Sequence, residues 1–296
     1  MPVELIGLPV SVLPLACIKI GRSERGQKGD SMGIVDTYTW LKEHYKDPEE
    51  ICRNFKKHIS LSPAATYDYL LSRGMYRPVR NGIEEVKKLH QQNIWKELKR
   101  EYSELRSWFN GPDVPVFILP SDSHNRYMQR EYNGKAGLAF NTCIFLFVSS
   151  QNSIKELKAM LTHEYHHVSR LHVLRKKEKE YTLLDTVILE GLAEAAVAER
   201  HTETYHAAWV RYYTKKEAIY LWHRFLADDK DCKKGTRKHE ELLNGLRFYP
   251  KMLGYCVGYH IVSDCIKHTN FQTKKLLNMK SRDILKYAVS FAANHT

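Results

Sequence analysis

Apolar and polar residues alternate along this chain in two rhythms, and each change of rhythm marks a boundary. Residues 21–31 (Gly-Arg-Ser-Glu-Arg-Gly-Gln-Lys-Gly-Asp-Ser) have no apolar period and many glycines, so residues 1–31 are expected to form a flexible N-terminal extension. From Met32 to about Trp108 the apolar positions fall at helical spacing. They predict helices near 35–45, 48–58, 63–72 and 82–108, punctuated by Pro48, Pro63, Gly74 and Pro78. The rhythm then shortens. Val114–Pro120 and Leu138–Val148 are dense in β-branched and aromatic residues and read as strands, with turns between them at Asn133-Gly134 and Gly137.

Helical spacing returns over 153–174. Ser153 with Glu156 three positions on forms a capping box, and Leu157, Met160, Leu161, Val168 and Leu171 make one apolar stripe. A charged run, Arg175 to Glu180, interrupts the period. Thr182 with Asp185 then opens a second helix through about Arg200, and further helices are expected near 206–227, 236–247, 250–268 and 281–293. Short strands inside a mostly helical chain give an α+β architecture. Its expected parts are a helical region over 32–110, a core over 111–200 and a C-terminal helical region over 201–296 packed on that core.

Composition narrows the function classes. With 43% apolar and 27% charged residues, the chain of 296 residues is globular rather than disordered. No run reaches the roughly 18 apolar residues of a membrane helix. Met1 to Ile20 is apolar, yet Pro2, Glu4, Pro9 and Pro14 and the lack of a basic start argue against a secretory signal. Leu15-Ala16-Cys17 has the outline of a lipidation site, with Pro14 against it. Cysteines 17, 52, 143, 232, 256 and 265 form no CxxC pair, which suits a reducing cytoplasm. The net charge is +12, with lysine and arginine spread along the whole chain, notably in 86–106, 175–179, 233–238 and 274–286. Nucleic-acid binding would predict association that weakens with salt and survives chelation. No nucleic-acid motif accompanies the charge, so a solvated basic exterior is the simpler reading.

The candidate chemistry lies in the paired helices. Residues four apart share a helix face, so His163 and His167 of His-Glu-Tyr-His-His can chelate one cation. Glu164, at the edge of that face, can take a proton from a water without being a ligand. A catalytic zinc site has three protein ligands and one open position. Glu190, past the charged run and on the next helix, is the candidate third ligand. Glu194, one turn further, can hydrogen-bond the outer nitrogen of a liganding histidine. Gly191, Ala193 and Ala195 are small enough for close helix packing. His166 shares a face with His163 and is an alternative to His167, while His172 reads as a surface or core-edge residue. The competing picture is an exposed helix whose histidines are merely solvated, against which stand the two capped helices.

His163-Glu164-x-x-His167 followed by Glu190-Gly191-Leu-Ala-Glu194 resembles the gluzincin pattern. More narrowly, Thr162–His167, the Thr182-Leu-Leu-Asp185 start and Leu189–Glu194 resemble the YjaZ-like bacterial proteins, a family described as zinc-dependent proteases. Asn133-Gly134-Lys-Ala-Gly137-Leu-Ala-Phe140 and Gly254-Tyr255-x-x-Gly258-Tyr259-His-Ile-Val262 match its style. The resemblance runs from about Met32 to the C terminus. It implies a zincin-like metallopeptidase fold with a small sheet over the active-site helix, Zn2+ as cofactor and a peptide or protein substrate. By that analogy the strand Leu138–Val148 lines the cleft, and its early residues pair with an extended peptide. No Gly-x-Met-Glu-Asn segment of the aminopeptidase relatives is present, which favours an endopeptidase. The resemblance also implies a downstream Tyr or His as donor to the oxyanion, with Tyr259 first and His260 second. A core tyrosine hydrogen-bonded inside the fold is the alternative role for Tyr259. The competing function is a non-catalytic binding or adaptor protein containing zinc.

Overall fold

The computed structural model describes residues 33–292, and the extension expected over residues 1–31 lies outside the described residues. The chain packs as two units that divide between Val168 and Ser169. In the first, β1 (Gly33–Ile34) leads into α1 (Thr37–His44), α2 (Pro48–Cys52), α3 (Pro63–Ser72), α4 (Gly82–Gln91) and α5 (Ile94–Phe109). Then come β2 (Pro115–Pro120), α6 (Arg126–Tyr132), β3 (Ala136–Ala139), β4 (Ile144–Val148) and α7 (Ile154–Leu174), which continues beyond the unit's end. The strand order is β1-β2-β4-β3. β2 is parallel to both β1 and β4, and β3 is antiparallel to β4 at the edge.

Alternation along the strands puts Phe117, Leu119, Phe145, Phe147 and Leu138 on one face, where they meet Leu41, Phe55, Leu70 and Val86. Phe55 packs against Phe117 and Phe145 at ring separations of 4.8 and 4.9 Å, in tilted and edge-on geometries that aromatic quadrupoles favour. α3 spans the predicted 63–72 because its start is well specified. The Ser62 hydroxyl accepts the Ala65 N–H at 3.2 Å, and Pro63 fills the first turn.

Four expectations for this unit change. Gly137, expected at a turn, lies inside β3, and the helix expected over 48–58 ends at Cys52 in a 3-10 turn over Arg53–Phe55. The helix expected over 82–108 is two helices, because Asn93 adopts a left-handed φ of 57° and ends the first run. The strand expected over 138–148 is a hairpin. The Phe140 N–H donates to the Cys143 carbonyl at 2.8 Å, turning β3 back into β4. Asn141-Thr142 is the only polar break there, and apolar content is the same for one long strand and two short ones.

The second unit is helical, with α8 (Leu183–His201), α9 (Lys215–Leu221), α10 (Arg237–Asn244), α11 (Leu253–Thr269), α12 (Thr273–Leu276), α13 (Ser281–Tyr287) and α14 (Val289–Ala292). The helix expected over 206–227 is broken. 3-10 turns occupy Glu203–Tyr205 and Ala208–Arg211, a capping box at Thr214 and Glu217 starts α9 afresh, and a π turn follows. α8 and α11 pack through Val187, Ile188, Leu192, Leu253, Val257 and Ile261. A Cβ on Gly191 would collide with the Gly258 carbonyl, and one on Gly258 with the Val187 carbonyl, so the helix backbones touch. Arg170, 1% exposed, donates to the carbonyls of Leu276, Leu277 and Met279 at 2.9, 3.0 and 3.1 Å. Burial pushes its pKa down to about 10, which still leaves the guanidinium charged at neutral pH.

The architecture is therefore α+β and mainly helical, with a small mixed sheet. Among the described residues, no helix is long and apolar enough to cross a membrane.

Candidate metal centre

Both capping boxes read from the sequence form. The Ser153 N–H donates to Glu156 Oε2 at 2.9 Å and the Glu156 N–H to Ser153 Oγ at 3.2 Å. The Thr182 N–H donates to the Asp185 carboxylate at 3.0 Å and the Asp185 N–H to Thr182 Oγ1 at 3.4 Å. Each box satisfies amides that helix formation would otherwise leave bare, and so fixes where α7 and α8 begin.

On α7 the His163 and His167 rings lie one turn apart, with centroids 4.5 Å apart and planes at 86°. One nitrogen of each and one Glu190 carboxylate oxygen all lie within 4.8 Å of one another, and all three residues are buried. This group can hold a metal ion. Two imidazoles and a carboxylate are a donor set that zinc takes, and three donors leave a four-coordinate ion one open position. Removed from water, such a carboxylate and imidazole pair is stabilised by a shared cation.

Glu164 is 1% exposed. It lies against the edge strand, where a Cβ built on Gly137 would fall 2.5 Å from the Glu164 Cγ and 2.6 Å from its carboxyl carbon. His166, also fully buried, presents its ring edge-to-face to Phe109 at 5.5 Å and is not one of the three gathered residues. His172 is exposed. The Tyr165 hydroxyl donates to the Pro112 carbonyl at 2.8 Å, which anchors the helix on another side.

Within the second unit, Glu194 is 3% exposed and its Oε2 accepts the Ala207 N–H at 2.9 Å. Its main-chain carbonyl accepts from His206 Nε2 at 3.1 Å. The His206 ring stands edge-on to Tyr259 at 4.9 Å. Burial raises the Tyr259 pKa, so the phenol keeps its proton at neutral pH. His260 turns elsewhere, with Nε2 donating to the Tyr213 carbonyl at 2.8 Å. Reading the sequence passed over His206, which follows a 3-10 turn where no period operates.

Burial lowers the pKa of His206, against the pull of Glu194, and also that of His260. A base weakened by the fold binds its proton more readily when unfolded. Stability is then full above the ordinary histidine value of 6.5 and falls as the pH drops below it. Urea unfolding should show a lower midpoint at about pH 5.5 than at about pH 7.5, and His206→Gln should narrow the gap. An unchanged gap in that variant would remove His206 from the account.

A family model described as "Predicted Zn-dependent protease (DUF2268)" matches residues 94–286, a span that contains all three gathered residues. "Uncharacterized protein YjaZ" of Bacillus subtilis (strain 168) is 36% identical over 262 residues, covering 86% of this chain and 98% of the relative. No solved structure gives a significant match. With the model matched over most of the chain and a relative alike over nearly its whole length, this chain belongs to the YjaZ-like DUF2268 family of predicted Zn-dependent proteases.

Proposed function

We propose that the protein is a zinc-dependent peptidase of the gluzincin type, cutting internal peptide bonds with an activated water. The observation that carries this reading is the buried His163–His167–Glu190 group with a second carboxylate, Glu164, beside it on α7. His163, His167 and Glu190 would hold zinc, and Glu194 would steady a liganding imidazole. Zinc, when bound, supplies Lewis acidity that acidifies water and polarises a carbonyl.

The remaining work falls to this chain's own side chains. Glu164 takes the proton of the attacking water and returns it to the departing amine nitrogen. Its burial holds the carboxylate in one orientation and keeps competing water away. Tyr259, protonated at neutral pH, donates to the carbonyl oxygen as negative charge develops there. His260 is the second candidate for that task; its Nε2–H is given to the Tyr213 carbonyl, and the Tyr259 hydroxyl is likewise hydrogen-bonded to the Ser263 side chain. Among the described residues β3 pairs with β4 alone, at the edge of the sheet, and the main chain of an extended peptide would pair along that edge. Such an edge holds substrate on both sides of the cut, which suits an endopeptidase.

Purified protein should contain about one zinc per chain and cleave internal bonds in a peptide library. Dialysis against a chelator should abolish cleavage, and added zinc should restore it. Zinc-loaded protein that cleaves nothing in the library would overturn the peptidase reading, and stepwise loss of terminal residues would overturn the internal-cutting one.

A further inference from the structure

Glycine inside a strand weakens it and leaves a gap in the row of side chains. At Gly137, in β3, conformation does not explain the gap. Its φ is not among the positive values that Gly33, Gly74, Gly134, Gly235 and Gly245 adopt, so other residues can take this backbone. Space explains it. A Cβ there would lie 2.5 Å from the Glu164 Cγ and 2.6 Å from its carboxyl carbon, both far inside contact distance. The Glu164 side chain occupies the place in the β3 row where a residue-137 side chain would stand. Ala136 and Leu138 face the opposite way into the aromatic core. Ala139, on the same face as Gly137, is also small and only 3% exposed.

We propose that Gly137 is a positioning residue for Glu164. The missing Cβ lets the carboxyl group rest on the backbone of the edge strand, level with the peptide bond of a substrate paired along that edge. The role rests on the peptidase reading above. The three nearest atoms an added methyl would meet all belong to the Glu164 side chain. A methyl therefore displaces the Glu164 side chain, and its carboxyl group with it.

The test compares wild type, Gly137→Ala, Glu164→Ala and the double variant. Gly137→Ala should keep its zinc and its unfolding midpoint, yet lose about 100-fold in kcat with little change in KM, because misplacement of a reacting group by about 1 Å has that scale. Its crystal structure should show the Glu164 carboxyl group displaced. In the Glu164→Ala background no Cγ or carboxyl group is left to meet the methyl, and Gly137→Ala should lower the residual turnover less than about threefold. Were Gly137→Ala to fold poorly, the double variant, free of the collision, would fold and still show the relief. Wild-type kcat in Gly137→Ala, equal losses in both backgrounds, or an unmoved carboxyl group would each overturn the proposal. Zinc-loaded wild type that cleaves no peptide would instead sink the peptidase reading, and the carboxyl position in Gly137→Ala would still decide whether this glycine seats it.

Discussion

Glu164→Gln should lower kcat by at least about 100-fold while leaving the zinc content at its wild-type level. The amide matches the carboxylate in size, so it fits the space against Gly137 and leaves α7 undisturbed. What it lacks is basicity, since an amide cannot accept the proton of the attacking water at neutral pH. General-base catalysis is worth about 100- to 10,000-fold, and that whole factor is at stake. In the proposed arrangement Glu164 is not a ligand, so metal analysis separates its role from those of its neighbours. His163→Ala should lose activity by releasing the metal, whereas Glu164→Gln should lose it with the metal retained. Full turnover in the amide variant would remove Glu164 from the chemistry.

The parts of the fold legible in the sequence are those set by local spacing. Ser153 with Glu156, and Thr182 with Asp185, name the starts of the two helices that carry the candidate chemistry, and both boxes form. The four-residue interval between His163 and His167 implies neighbouring rings, and they stand 4.5 Å apart. Less legible are features decided by a single residue's backbone. Asn93 ends α4 by turning left-handed, and the Phe140–Cys143 hydrogen bond folds an apolar run into a hairpin. Neither alters the hydrophobic pattern. Contacts between distant residues are least legible of all. Nothing in the spacing of Gly137 or His206 announces that one lies under Glu164 and the other against Tyr259.

Two glycines show how packing, not motif spacing, aims the candidate groups. Gly137 admits Glu164 to the strand backbone. Gly191, next to Glu190, lets α8 approach α11 until a Cβ would meet the Gly258 carbonyl and, at 2.9 Å, the Tyr259 nitrogen. That crossing sets the rotation of α8 about its own axis, and the faces presented by Glu190 and Glu194 turn with it. It also ties the main chain of Tyr259 to that of Gly191, so the proposed oxyanion donor and a proposed ligand share one rigid contact.

Glu190→Gln should abolish most of the stabilisation that zinc gives the protein. An ion that binds the folded chain alone adds about 2.7 kcal/mol when present at about 100 times its Kd. Replacing a charged ligand by a neutral amide should weaken zinc by more than the roughly 10- to 100-fold known for partners that only orient ligands. At a 100-fold loss the same zinc concentration would stabilise by only about 0.4 kcal/mol. Thermal unfolding with and without zinc should therefore give a large upward shift in Tm for wild type and almost none for Glu190→Gln. The exposed His172 supplies the control, since His172→Ala should keep the full wild-type shift. The comparison is internal to each variant, so any effect of the amide on the metal-free fold cancels. If zinc raises the Tm of Glu190→Gln as far as that of wild type, Glu190 is not a ligand. The third donor to His163 and His167 must then come from another residue, and α8 loses its part in the site.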